Sequence, residues 1–158
     1  MSLLLFRVDD RLIHGQVVLG WGRPLGLDRL VLVDDAVAAN EWEQELYRMA
    51  VPANIEVVFA SIASASAHLP EWKADRQRTA LLTGDIESMA ALYAADHDTV
   101  KLINLGGLHH RPGRTERLPY LYLTDDELAF LRNLAAEGAE VVAQDVPTAP
   151  AIDLEAIR

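Results

Sequence analysis

The sequence predicts an α/β protein: a mainly parallel, open sheet of about seven strands with helices on both faces. Two observations carry this. Short apolar runs alternate with amphipathic stretches along the whole chain, and periods of two and of 3.6 residues replace each other at that spacing. The apolar runs also tend to end in small or acidic residues, as in Val33-Asp34-Asp35, Thr83-Gly84-Asp85 and Asn104-Leu105-Gly106-Gly107. Loops of that composition gather at the carboxyl edge of a parallel sheet, where ligands bind.

Residues 3–8 form the first expected strand, and residues 13–22 the first helix, with Ile13, Val17 and Trp21 at four-residue steps. Pro24 and Gly26 stop it. Strands follow at 29–33, 55–59, 78–82, 100–103, 118–123 and 140–143. Helices are expected at 40–49, 61–69, 86–94 and 125–137. Asn40, Ser61 and Thr124 stand at N-cap positions, and Glu43 and Glu127 at capping-box positions. Asp34-Asp35 reads as a turn and helix cap, and Trp21 and Trp42 read as core. Residues 147–158 form a tail with at most one short helix. One domain over residues 1–158 accounts for the length.

The chain has 158 residues, 51% of them apolar, and a net charge of −10. That charge excludes a phosphate-backbone binder, so no nucleic-acid partner is expected. It equally disfavours unaided binding to anionic lipid. No cysteine is present, which removes disulfides and thiolate metal sites. No apolar run reaches the roughly 18 residues of a membrane span, and no signal-peptide pattern opens the chain. These point to a cytoplasmic protein.

The chemistry concentrates in Asp9-Asp10-Arg11-Leu12-Ile13-His14-Gly15-Gln16-Val17, between the first strand and first helix. An imidazole at a helix start can take a phosphoryl group, with helix N–H groups and a guanidinium sharing its charge. His14 is the acceptor candidate and Arg11 its partner. Gly15 leaves room for close approach, and Asp9 or Asp10 could fix the ring tautomer. Thr83 and Gly84 offer a hydroxyl and an open backbone, or else only a strand-to-helix cap. Gly106-Gly107 requires a tight turn or a close approach. His109-His110-Arg111 forms an exposed basic loop, and adjacent histidines diverge too far to share a metal. Neither a cofactor nor a metal is called for.

The Asp9–Val17 motif resembles the phosphorylation loop of the IIB components of the mannose/sorbose family of the bacterial sugar phosphotransferase system. Asn104-Leu105-Gly106-Gly107-Leu108-His109 and the stretch from Tyr120 to Gln144-Asp145-Val146-Pro147 fit the same family in order. His110 departs from it, standing where an apolar residue is usual. The resemblance implies that His14 takes a phosphoryl group from a IIA phosphocarrier and passes it to a sugar (mannose, fructose, sorbose or an amino sugar). The sugar is held by the IIC/IID membrane pair. It further implies Arg11 as the phosphate-stabilising residue, attack through Nδ1, docking at the inner membrane face through IIC/IID, and a homodimer as one available assembly. Asp10, Gly15, Gln16, Thr83 and Gly84 are then expected around the phosphate, with Asp9, His109 and Arg111 as auxiliaries. Two other readings keep the same loop: a regulatory phosphoprotein uncoupled from transport, and a module binding a phosphometabolite noncovalently.

Overall fold

In a computed structural model, which describes residues 2–158, the chain folds as a layered α/β structure. The strands of the main sheet are β1 (Leu3–Val8), β2 (Arg29–Val33), β3 (Glu56–Ala60), β4 (Thr79–Thr83), β5 (Leu102–Leu105), β8 (Glu140–Ala143) and β9 (Ile152–Asp153). Their order is β3-β2-β4-β1-β5-β8-β9. Every pairing is parallel except β8 with β9. A separate antiparallel hairpin joins β6 (Thr115–Leu118) to β7 (Leu121–Leu123).

Both faces of the sheet are covered, as nearly unbroken apolar strands require. Alternate residues serve opposite cores. Phe6, Val8, Val31, Val33 and Leu81 pack with Leu69 and Trp72 of α4 (Ile62–Ala74), Met89 and Leu92 of α5 (Ile86–Ala95), and Leu128 and Leu131 of α6 (Asp125–Ala136). Leu5, Leu30, Leu32, Ala80 and Leu82 face the other way, against Ile13, Val17, Val18 and Trp21. Each fully buried Leu contributes about 1.5–3 kcal/mol.

Several expectations are corrected. The run at 118–123 is not a strand of the main sheet: Pro119 has no N–H to donate, and the chain folds there into the β6–β7 turn. The hairpin attaches to Leu108, whose N–H donates to the Tyr120 carbonyl at 3.0 Å. The seventh place in the sheet goes to β9, in the expected tail, followed by a 3-10 turn (Leu154–Ala156). Leu154 and Ile157 anchor that turn in the core.

The fourth helix runs through Pro70 instead of stopping before it. Trp72 is buried, and Ser2 Oγ donates to the Trp72 and Lys73 carbonyls at 2.6 and 2.9 Å. Those bonds satisfy carbonyls that a helix end leaves open. Asp34 caps a short helix α2 (Asp35–Ala38) through Val37 N–H at 2.9 Å, and Asp35 accepts from Ile62 N–H at 2.8 Å. This carboxylate pair is therefore structural. On α3 (Glu41–Met49), Trp42 is 73% exposed rather than core, in line with exposed Leu46 and Met49.

The expected first helix begins later and in another form. A π-helical stretch (Gln16–Trp21) leads into α1 (Gly22–Leu25). Ile13 and His14 precede it. The reason is local: Asp9 accepts from the Arg11 N–H at 3.1 Å, its carbonyl accepts from Leu12 N–H at 3.0 Å, and Leu12 is left-handed at φ 59°. A side chain that grips its own backbone two residues on competes with the helix ladder.

Candidate functional site

Four strand ends converge at one edge of the sheet. The Asp9 N–H donates to Thr83 O at 2.9 Å, Gly106 N–H to Val8 O at 2.7 Å, Asp10 N–H to Gly107 O at 2.9 Å, and Gln144 N–H to Leu105 O at 3.0 Å. The loops after β1, β4, β5 and β8 are thereby clamped side by side, and the Asp9–His14 loop lies among them.

Asp9 is the centre of this edge and is fully buried. Arg11 forks onto it, Nε to Oδ1 and Nη2 to Oδ2, both at 3.1 Å. Arg11 Nη2 also donates to Gln16 Oε1 at 2.9 Å. The Gly107 N–H reaches Asp9 Oδ2 at 3.3 Å, and Arg7 Nη2 stands 3.5 Å from the same oxygen. His14 Nε2 lies 3.3 Å from Asp9 Oδ2, at ion-pair distance but misaligned for a full hydrogen bond, and that nitrogen has no other partner. Catalytic hydrogen bonds are often long before a partner binds. Burial would lift the Asp9 carboxyl, but the adjacent His14 imidazole and the side-chain and backbone N–H groups of Arg11 overcome it and hold the group well below the usual carboxylate range. The bond to Asp9 outweighs burial in raising the Arg11 guanidinium.

The His14 side chain keeps 18% of its exposure while Nε2 is buried, so the ring opens to solvent on the side away from Asp9. Behind it, the helix ladder starts with Val18 N–H on the His14 carbonyl at 3.0 Å. Gly15 has nothing within 4 Å of where a Cβ would stand. The arrangement combines an imidazole fixed at one nitrogen, an adjacent guanidinium and an open approach, which suits reversible capture of a tetrahedral anion.

The other expected residues divide. Asp10 does not face His14: its carboxylate accepts from the His109 N–H at 2.8 Å and pairs with His109 Nδ1 at 2.5 Å, with Arg114 Nη1 3.9 Å away. Asp9 and Asp10 thus hold different histidines. Thr83 is buried in β4, and its hydroxyl donates to Asp85 O at 3.0 Å. It is not directed into the cluster, and Asp85 caps α5 through Ser88 N–H. Gly84 admits Leu12, whose Cδ2 would lie 2.7 Å from an added Cβ. Arg111 is exposed on the loop beyond His109, and His110 packs edge-on to Tyr122 at 5.9 Å.

Residues outside the expected set of site residues complete the site. Arg7 is almost fully buried, and Trp21, Asn104, Gln144 and Asp145 surround it. Gly106 and Gly107 have no unusual φ. Their small size lets Arg7 and Arg11 through: added Cβ atoms would lie 2.3 Å from Arg7 Nη2 and 3.2 Å from Arg11 Nε. An arginine inside an otherwise apolar strand was the available signal.

A mainly parallel α/β sheet that presents a histidine, an aspartate and an arginine on its first loop has the makings of a phosphoryl carrier. The family model described as "PTS system sorbose subfamily IIB component" matches residues 3–157, and the chain belongs to that family. It is 30% identical over 154 residues to the N-acetylgalactosamine-specific phosphotransferase enzyme IIB component 1 of Escherichia coli K12, covering 92% of each chain. It is 29% identical to the sorbose-specific EIIB component of Lacticaseibacillus casei, covering 98% of this chain and 93% of that one. The IIBSor domain of the sorbose permease from Klebsiella pneumoniae superposes with a TM-score of 0.85 at 26% identity, over 99% of this chain and 96% of that one.

Proposed function

We propose that the chain acts as one domain, a protein-N(pi)-phosphohistidine–sugar phosphotransferase subunit of the mannose/fructose/sorbose type, with His14 as the phosphoryl carrier. The observation that carries this is the placement of His14: Nε2 is turned to a buried carboxylate, leaving Nδ1 as the nitrogen with a free lone pair. That lone pair attacks the phosphorus of a phosphohistidine on a IIA partner. The new Nδ1–P bond forms as the donor N–P bond breaks, and its electron pair returns to the donor ring. The donor ring, protonated on its other nitrogen, leaves as a neutral imidazole, so no proton need move between the rings, and Asp9 balances the charge that builds on the His14 ring.

Arg11 is the residue exposed enough to turn from Asp9 and meet the phosphoryl oxygens. Its side chain is 35% exposed, where that of Asp9 is fully buried. Helix-end N–H groups assist it, and Gln16 steers its guanidinium. The transition state is loose, so positioned positive charge supplies most of the stabilisation. In the second step a sugar hydroxyl, held by the IIC/IID membrane pair, attacks phosphorus as the Nδ1–P bond breaks; its proton passes to solvent and the electron pair returns to His14. Among the described residues no helix is long and apolar enough to cross a membrane, so translocation falls to those subunits. In this reading the protein is cytoplasmic and docks at the membrane through them. His109, braced on Asp10, and Arg111 form the rim that a partner meets. The sugar is of the mannose, fructose, sorbose or amino-sugar type, since relatives named for mannose, sorbose, fructose and N-acetylgalactosamine match this chain over 92% of its length or more.

The test is labelling with phosphorylated IIA. Wild-type protein should gain an acid-labile, base-stable phosphoryl group and pass it to sugar when membranes containing IIC/IID are added. Labelling retained in His14→Ala would end the assignment, and labelling without any transfer to sugar would favour a regulatory role.

A further inference from the structure

Arg7 is a charge in the wrong place for a strand. It sits on β1, in line with Leu5 on one face of the sheet, and is 1% exposed. Burying a guanidinium is costly unless it is well paired. Its Nη1 donates to Asn104 Oδ1 at 2.5 Å and Gln144 O at 2.7 Å, and its Nη2 to Asp145 O at 2.9 Å. The Trp21 ring closes one side, 4.9 Å away. These acceptors are neutral, and an amide side chain could satisfy them. Among the described residues the only carboxylate in contact is Asp9, whose Oδ2 is 3.5 Å from Nη2 and is the oxygen that faces His14.

Asp9 therefore has two guanidinium partners of different character. Arg11 approaches from the surface and is partly exposed, while Arg7 is locked from behind. A guanidinium that moves to a phosphoryl group must loosen its grip on Asp9. Without a second cation, a buried carboxylate would then stand beside a dianion and tend to take up a proton. Resting on the assignment of His14 and Asp9 given above, we propose that Arg7 is a positioning residue for phosphoryl transfer. It keeps Asp9 ionised and aimed at His14 Nε2 while Arg11 turns from Asp9 to the phosphoryl group. Gly106 belongs to this device, since its missing Cβ makes room for the Arg7 guanidinium. The other ionisable groups in the field of these arginines are Asp10, Asp145 and Tyr120.

The experiment uses the full chain with phosphorylated IIA, comparing wild type, Arg7→Lys, Gly106→Ala and His14→Ala. Arg7→Lys keeps a charge but loses the planar grip. It should lower the transfer rate at saturating donor by roughly 10- to 100-fold, as loss of an outer-shell partner does. The half-saturating donor concentration should stay unchanged. The acid limb of its rate profile should move to higher pH, because Asp9 protonates more readily. Its 15N-labelled His14 should show a mixture of ring tautomers, where wild type shows the Nε2–H form alone. Gly106→Ala, which displaces Arg7 without deleting it, should reproduce these changes in weaker form, and it decides the matter if the lysine variant does not fold. Wild-type rate, pH profile and tautomer in a folded variant would overturn the role of Arg7. Label that persists in His14→Ala would instead overturn the assignment beneath it.

Discussion

Replacing Asp9 by asparagine keeps the shape of the side chain and removes its charge. In the wild type this carboxylate accepts a fork from Arg11, the Arg11 backbone N–H and the Gly107 N–H, and it faces Arg7 and His14. An asparagine offers one acceptor oxygen, and its amide N–H groups then confront donors. Removing one partner from a buried ionic cluster destabilises by about 3–5 kcal/mol, a large share of a typical stability of about 5–15 kcal/mol. Urea unfolding at pH 7 should therefore show Asp9→Asn folded but weakened by that amount.

The pH dependence gives a second, sharper reading of the same change. Asp9 has a carboxyl held below its usual range in the folded state. Its contribution is thus fully present above the unfolded value of about 4 and is lost as pH falls further. Wild type should lose stability on going from pH 5 towards pH 2, and Asp9→Asn should lose less, so the two curves converge in acid. Phosphoryl transfer to the variant should fall by at least about 100-fold, because the ring is no longer held in one tautomer. Equal stabilities at pH 7, or curves that diverge in acid, would refute the role given to this carboxylate.

Arg11→Lys should lower transfer without unfolding the protein, since a lysine cannot span both oxygens of Asp9 or of a phosphoryl group; stopped-flow transfer from IIA measures this, and an unchanged rate would remove Arg11 from the mechanism. Thr124→Ala breaks the capping box formed with Glu127 and should reduce thermal stability by about 1 kcal/mol with transfer intact. Trp42→Ala, on an exposed helix face, should change folding stability by less than about 0.5 kcal/mol. Trp72→Ala, in the core, should cost about 3–5 kcal/mol, and calorimetry separates the two.

The α/β alternation was legible because the central strands β1, β2 and β4 are mostly apolar on both faces, with polar residues chiefly at their ends. The caps at Asn40, Ser61 and Thr124 were legible because a side-chain oxygen before an amphipathic run has one job. The hairpin at 115–123 was hidden because Leu118, Leu121 and Leu123 look like a strand until Pro119 is given its steric weight. Trp42 was misplaced because helical periodicity identifies an apolar face without saying whether anything covers it. At the site, the loop and its histidine were visible, but the division between Asp9 and Asp10 was not. It depends on Gly107 and His109, about a hundred residues away in the chain, which reach the loop only through the pairing of β1 with β5. Arg7 is visible in the chain as a basic neighbour of Arg11, but its role was hidden for the same reason, because its partners lie at the ends of β5 and β8.

The most direct test is to locate the phosphorus itself. Protein labelled with 15N in its histidines and phosphorylated by IIA should show 15N–31P coupling at Nδ1 of residue 14, with Nε2 still protonated against Asp9. Coupling at Nε2, or at His109 or any other histidine, would contradict the account.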